Sequence, residues 1–261
     1  RLRTALGLYA NIRPVRMFTS IMARSPLKQE HIYGTNLVVF RELTSGIYFG
    51  DKGRIEGGNA AFDTCYYNVE EITRIAKMAF EAASSRRGLL TLVDKANVLE
   101  SSRLWREVVQ KMALEYPDVL VDYLFVDNAA MQVVQQPSKF DVILTENMFG
   151  DIISDETSVI TGSIGLLPSA SLGLNSSLFE PIHGSYPEAT GKDIANPLAT
   201  ILSLAMLLEH VELVDEARRV EAAVELVIDK GLVTPDLNKE HFISCSKVGD
   251  VVAMMVESDL D

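Results

Sequence analysis

The sequence predicts an α/β protein. Short apolar runs alternate with stretches of helical period, the pattern of strands linked by packed helices. Of the 261 residues, 48% are apolar and mean hydropathy is slightly positive. That is enough for a sizeable core, in one large domain or two smaller ones. No internal repeat or low-complexity tract breaks the pattern.

The elements follow in order. Leu37 to Arg41 reads as a strand. Residues 42 to 67 hold Gly46, Gly50, Gly53, Gly57 and Gly58 among scattered aromatics, and read as an extended arm or loop. Asn68 is placed to cap a helix, with Glu71 at its third position completing a capping box. Ile72, Ile75, Ala76, Ala79, Phe80 and Ala83 then recur at helical spacing and predict one buried face. Leu89 to Asp94, bounded by Arg86-Arg87-Gly88, is a second strand. Leu104, Val108, Met112 and Leu114 define the next helix, ended by Pro117. Val121 to Val126 and Phe140 to Thr145 are two further strands. Gly162 to Ser177, rich in Gly, Ser and Pro, reads as a crossing between two lobes. Helices are expected over Pro197 to Glu209, Asp215 to Asp229 and Lys247 to Glu257.

A net charge of −12 argues against nucleic acid or a membrane surface as partner, since both are anionic. An anionic small substrate stays possible, because a local basic cluster fits within an acidic whole. Cys65 and Cys245 have no metal-ligand or redox spacing, and read as free thiols in a reducing cytoplasm. No apolar run is long enough to span a bilayer and no leader is visible. The chain starts on Arg1-Leu2-Arg3 without a methionine, which suggests an absent N-terminal piece.

Four constellations carry chemistry. In Asn147-Met148-Phe149-Gly150-Asp151-Ile152-Ile153-Ser154-Asp155-Glu156, a helix starting near Gly150 puts Asp151 and Asp155 on one face. Two such oxygen ligands suit Mg2+ or Mn2+, although acids at a helix start are also stabilised by its dipole. Arg3, Arg13 and Arg41 would suit a polyacid if they converge, since guanidinium forks bind carboxylates. Taken singly, each also reads as a surface charge. Lys95 sits at the end of a strand, where open α/β sheets place ligands. Near a metal its pKa would fall, allowing base chemistry, and otherwise it is a solvated strand end. Tyr48 is either a proton donor or a packing aromatic. Glu180-Pro181-Ile182-His183-Gly184-Ser185-Tyr186-Pro187-Glu188 precedes Gly191 and Asn196-Pro197, and such a turn before a helix can hold a phosphate or adenosine group. The chain has no G-x-G-x-x-G fingerprint.

Taken together, these motifs resemble the β-decarboxylating dehydrogenases, the isocitrate/isopropylmalate dehydrogenase family, over essentially the whole chain and in order. Arg41-Glu42-Leu43-Thr44-Ser45-Gly46-Ile47-Tyr48-Phe49-Gly50 is similar to the branch acting on 3-isopropylmalate. Asn147 through Asp155 and Gly162-Ser163-Ile164-Gly165-Leu166-Leu167-Pro168-Ser169-Ala170 resemble the general family pattern. The resemblance implies a two-lobed, non-Rossmann α/β fold with an extended dimer arm at about 42–67. Residues 1–9 and 162–261 would belong to the cofactor domain, and 10–161 to the substrate and dimerisation domain.

It also implies site roles. Arg3, Arg13 and Arg41 would bind substrate carboxylates, with Asn97, Val98 and Asp127 close to the substrate. Tyr48 and Lys95 would be the catalytic pair. Asp127, Asp151 and Asp155 would hold Mg2+ or Mn2+, Lys95 and Asp127 arriving from the partner of a homodimer. Glu180, His183, Gly184, Ser185, Tyr186, Pro187, Glu188, Ile194, Ala195 and Asn196 would bind the cofactor. Glu188 favours NAD over NADP, because a carboxylate accepts from a ribose 2′-hydroxyl and repels a 2′-phosphate. The implied reaction is oxidative decarboxylation of 3-isopropylmalate to 4-methyl-2-oxopentanoate, in leucine biosynthesis. A tartrate- or malate-type reaction and an inactive dimerising fragment are the alternatives. Family chains carry a further N-terminal quarter, and without it poor activity and weak NAD binding are expected.

Overall fold

The computed structural model describes residues 2–258, apart from the side chains of Arg3 and Thr4. In chain order the elements are α1 (Leu2–Ala5), β1 (Leu8–Arg16), α2 (Gln29–Ile32), β2 (Asn36–Glu42), β3 (Lys52–Ile55), β4 (Ala60–Asp63), α3 (Val69–Ser85), β5 (Leu89–Asp94), α4 (Glu100–Ala113), β6 (Leu120–Phe125), α5 (Val126–Gln135), β7 (Val142–Thr145), α6 (Asn147–Ser158), β8 (Pro168–Gly173), β9 (Ser177–Pro181), α7 (Leu198–His210), α8 (Val214–Asp229) and α9 (Cys245–Glu257). Two compact units result. One holds the segment up to Ile12, Asn36–Glu156 and Ser171–Ser177, and the other holds Arg13–Thr35, Thr157–Ala170 and the chain from Leu178 onward. Residues 13–35 join the second unit, where Phe18 and Ile21 sit in its core.

In the first unit the strand order β6-β5-β7-β2 continues into β1 and β8. The β5–β6, β5–β7 and β2–β7 pairs are all parallel. Parallel neighbours need crossing connections, and α3, α4 and α5 supply them. Thr145 stands opposite both Arg41 and Val93, and Asp94 opposite Phe125. Four strands therefore end at one edge of the sheet, the edge where parallel sheets bind ligands. Lys95, Asp127 and Asn147 follow directly on those ends, and Tyr48 follows a short turn after β2.

The core is held by α3 against this sheet. Its six predicted inward residues are all fully buried, among Leu90, Leu92, Trp105, Val142 and Leu144. Burying each such Ile or Phe contributes about 1.5–3 kcal/mol. The capping box forms as expected: the Asn68 side chain accepts the Glu71 N–H at 2.9 Å, and the Glu71 carboxylate accepts the Asn68 N–H at 3.0 Å. Trp105 and Tyr67 form a T-shaped pair, with ring centroids 5.4 Å apart.

Several boundaries depart from the sequence reading. Val126 starts α5 instead of ending a strand, and β7 begins at Val142, two residues after Phe140. Leu114 is the exposed cap of α4, whose inward face is Ser102, Trp105, Val108, Val109 and Met112. Residues 42–67 contain an antiparallel hairpin, β3 with β4, turning through Glu56, Gly57 and Gly58 at positive φ. The stretch from Gly162 to Ser177 contains β8, and β1 and β9 also lacked a sequence signal. Helix α6 begins at Asn147, not near Gly150. A Cβ at Gly150 would stand 2.5 Å from Arg41 Cγ, so this glycine answers to a tertiary contact and not to a helix start.

In the second unit Leu198 and Leu202 of α7 pack with Val224, Val227 and Ile228 of α8 and Val248 and Val252 of α9. Residues 178–181 of β9 lead into the segment that precedes α7. Among the described residues no helix is long and apolar enough to cross a membrane.

Candidate active site

The end of β2 and the start of α6 meet through Arg41. Its side chain is buried and forms an ion pair with Asp151. Tyr48 lies on a short 3-10 turn, 46% exposed, and donates its hydroxyl to Asp151 Oδ2 at 2.9 Å. Its ring lies 5.6 Å from the Arg41 guanidinium. Burial raises the Tyr48 pKa, the Asp151 hydrogen bond and charge raise it further, and Arg41 opposes them. The phenol therefore holds its proton at neutral pH, as a proton donor must. Arg41, Tyr48 and Asp151, three residues expected at the site, are thus brought together.

Lys95 and Asp127 form a separate ion pair. Lys95 opens the turn after β5, and Asp127 sits in the first turn of α5. The Lys95 hydrogen bond holds the Asp127 carboxyl below its usual range. Asp94 Oδ1 accepts the Ala96 N–H at 3.0 Å and shapes this turn, which leaves Asn97 and Val98 exposed to solvent. Asp155 follows Asp151 by one helical turn on α6 and is exposed. Arg13 is half-buried on β1 and belongs to the second unit. The Arg3 side chain lies outside the described residues.

Asp151 and Asp155 have the chemistry and spacing of hard-cation ligands. Among the described residues no three acidic, His or Cys side chains are gathered into a metal cage. Asp127 stands with Lys95, not with the α6 pair. Because α6 starts at Asn147, neither carboxylate of that pair lies in its first turn. Stabilisation by the helix dipole, which falls off within that turn, does not account for them.

The second unit contains a cavity of about 340 Å³. His183, Gly184, Ser185, Tyr186, Ile194, Ala195 and Asn196 line it, all expected cofactor contacts. Glu180, on β9, and Pro187 and Glu188, on an exposed turn, do not. His183 Nε2 is buried and has no hydrogen-bond partner, the state of an atom awaiting a ligand. A Cβ at Gly165 would lie 2.6 Å from the Asn196 side chain, so glycine is needed for this wall to close. The cavity therefore fits an adenosine-type group.

Sequence reasoning missed Ser163, Ile164, Gly165 and Asp236 in this lining. Asp236 accepts from the Asn196 amide at 2.9 Å and also from the Ser163 hydroxyl. Ser163, Ile164 and Gly165 carried a signal as part of the 162–170 motif, and Asp236 carried none. Glu146 was missed as well. It is buried, and burial, with Asp94 and Glu42 as further causes, pushes its pKa to about 7 while the Cys65 thiol pulls it down.

The isocitrate/isopropylmalate dehydrogenase family model matches residues 1–252. A 3-isopropylmalate dehydrogenase of Clostridium acetobutylicum is 57% identical over 244 residues, covering 92% of this chain and 68% of that protein. One from Thermotoga maritima is 52% identical, covering 98% of this chain and 73% of that protein. The crystal structure of isocitrate dehydrogenase from Methylococcus capsulatus superposes with a TM-score of 0.89 at 40% identity, covering 98% of this chain and 76% of that one. A β-decarboxylating dehydrogenase from Thermococcus kodakarensis, in its apo form, gives 0.84 at 36% identity, covering 98% and 71%.

Proposed function

The chain belongs to the isocitrate/isopropylmalate dehydrogenase family, and we infer from this that it oxidises and decarboxylates 3-isopropylmalate to 4-methyl-2-oxopentanoate, a step of leucine biosynthesis. The reaction uses NAD and Mg2+ or Mn2+. The observation that carries the reading to the site is the Arg41–Tyr48–Asp151 cluster at the C-terminal sheet edge. It unites a carboxylate binder, a proton donor and a metal-type carboxylate.

The residues divide the work by their chemistry. Arg41 binds a carboxylate of the substrate. Lys95, once its amine is neutral, would take the hydroxyl proton, and NAD when bound would supply the acceptor for the carbinol hydride. Loss of CO2 from the β-position leaves an enolate, and Tyr48 protonates its carbon. Asn97 and Val98, on the Lys95 turn, face the substrate. Asp127, Asp151 and Asp155 hold the metal, which when bound supplies Lewis acidity and withdraws charge from the reacting oxygen. The second-unit cavity holds NAD, with His183 Nε2 offering its buried ring nitrogen. Glu180, Pro187 and Glu188 extend that site beyond the cavity wall, and Glu188 selects NAD against NADP by charge. We assign Asn36–Glu156 to the substrate domain and the chain from Leu178 onward to the cofactor domain; the segment up to residue 9, expected with the cofactor domain, falls in the first unit, and 13–35, expected with the substrate domain, in the second.

The separation of Lys95–Asp127 from Asp151–Asp155 supports a homodimer in which each pair completes the partner's site. The hairpin β3–β4 would be its dimer arm. Two free cysteines accord with a reducing cytoplasm, where we place the enzyme.

The test is NADH formation with Mn2+ on 3-isopropylmalate, isocitrate, tartrate and malate. Turnover should be fastest on 3-isopropylmalate and abolished by chelation and by Asp151→Asn. Equal or faster turnover of another of these acids would overturn the substrate assignment.

A further inference from the structure

Arg41 is held on two sides. Asp151 meets it at Nη1, while Asn147 Oδ1 accepts from both Nε, at 3.2 Å, and Nη2, at 2.9 Å. The amide nitrogen of the same Asn147 side chain donates to the Ser45 carbonyl at 3.1 Å. Ser45 precedes the 3-10 turn Gly46–Tyr48, which carries the proton donor. The Asn147 backbone N–H donates to the Tyr67 hydroxyl at 2.9 Å. That hydroxyl is wedged against Gly46, where a Cβ would meet it at 2.3 Å. Asn147 itself is only 2% exposed.

We propose that Asn147 is a positioning residue that sets both Arg41 and the Tyr48 turn against Asp151; this rests on the reading of the site given above. The chemistry dictates a carboxamide. Arg41 offers only donors and the Ser45 carbonyl only an acceptor. One planar group must therefore present an acceptor on one side and a donor on the other. Aspartate lacks the donor, and leucine lacks both. By occupying the Nε–Nη2 edge, Asn147 leaves Nη1 directed at Asp151. Its position one helical turn before Asp151 on α6 makes the arrangement rigid.

Two variants separate the two contacts. Asn147→Asp keeps the acceptor for Arg41 and loses the donor to Ser45. Asn147→Leu loses both. For Asn147→Leu, KM for 3-isopropylmalate should rise and kcat fall, each by about 10-fold or more, since buried partners are left unpaired. For Asn147→Asp, KM should stay within about 3-fold of wild type, while kcat stays about 10-fold low. Unchanged KM in Asn147→Leu overturns the proposal. So does an equal loss of KM and kcat in both variants, which is what general loosening of the fold would give. If Asn147→Leu does not fold, Asn147→Asp decides alone, because wild-type kcat or a KM raised with kcat refutes the split. A readout independent of turnover is the 15Nε–1H resonance of Arg41, assigned through Arg41→Lys. It should exchange slowly in wild type and in Asn147→Asp. Fast exchange in wild type would refute the clamp, and a slow Nε–H in a wild type that turns over no substrate would sink only the functional reading.

Discussion

Gly150→Ala sets two effects of opposite sign against each other. Gly150 lies inside α6, where alanine is favoured over glycine by about 1 kcal/mol on helix propensity. The added Cβ would stand 2.5 Å from Arg41 Cγ, 2.7 Å from its Cβ and 3.1 Å from its Cδ. These are the root of the side chain, not its flexible tip, and they are fixed by β2. Relief must come from moving α6 off the strand by about 1 Å, and such overpacking costs about 1–3 kcal/mol. The clash wins, with a net loss of up to about 2 kcal/mol, or several degrees in Tm for a chain this size. The larger effect is on function. A shift of about 1 Å in the Arg41 fork relative to Asp151 should lower kcat/KM by about 100-fold. Urea denaturation and steady-state kinetics measure the two. A Gly150→Ala protein that is stabilised by the full propensity term and keeps wild-type kcat/KM would refute the packing argument.

Tyr48→Phe removes the proton donor but leaves the Arg41–Asp151 pair. Its kcat should fall by about 100-fold or more with KM little changed, and a normal kcat would exclude Tyr48 as the acid. His183→Ala removes Nε2, which has no protein partner, and Nδ1, whose contact is the carbonyl of the adjacent Gly184 at 3.0 Å, so the free protein should lose little stability. NAD affinity should fall by about 10-fold in a fluorescence titration, and unchanged affinity would remove His183 from the cofactor site. Glu146 predicts a pH effect on stability. Its pKa lies at about 7 in the folded state against 4.5 as the ordinary value. Between these values the folded state binds a proton that the unfolded state does not, so stability falls as pH rises through that window and is flat below it. The loss is on the order of 3 kcal/mol when complete. Glu146→Gln should flatten the decline in denaturation curves between pH 4.5 and 7, and an unchanged slope would show that another group is responsible.

Local signals made some of this legible and long-range contacts hid the rest. Helix α3 was readable because its cap, Asn68 with Glu71, and its inward face are set by spacing within one element. Strands β2 and β5 were readable because they are short apolar runs with clear ends. Strands β8 and β9 were not, because Pro168, Gly173 and the serines between them carry no alternation. Gly150 read as a helix start because glycine is unfavourable inside helices, and the reason it stands there is Arg41, far away in sequence. Spacing placed Asp151 and Asp155 on one face but left their role open. Motif order against a known family pointed to metal binding, and folding joins Asp151 to Arg41 and Tyr48. Asp236 had no local signature at all, since it reaches the cavity only through folding.

The parallel pairing of β2 with β7 has a kinetic consequence. Arg41 and Asn147, which meet across it, are 106 residues apart in sequence. Closing so long a loop is entropically unfavourable until the elements between have ordered, and parallel pairings of this separation are slow to form. In a refolding chain, α3 and its cap are local and can appear early, while Arg41 meets Asn147 and Asp151 of α6 only near the end. Recovery of activity after dilution from denaturant should therefore lag the return of helical signal, and cation binding should mark the last phase of folding.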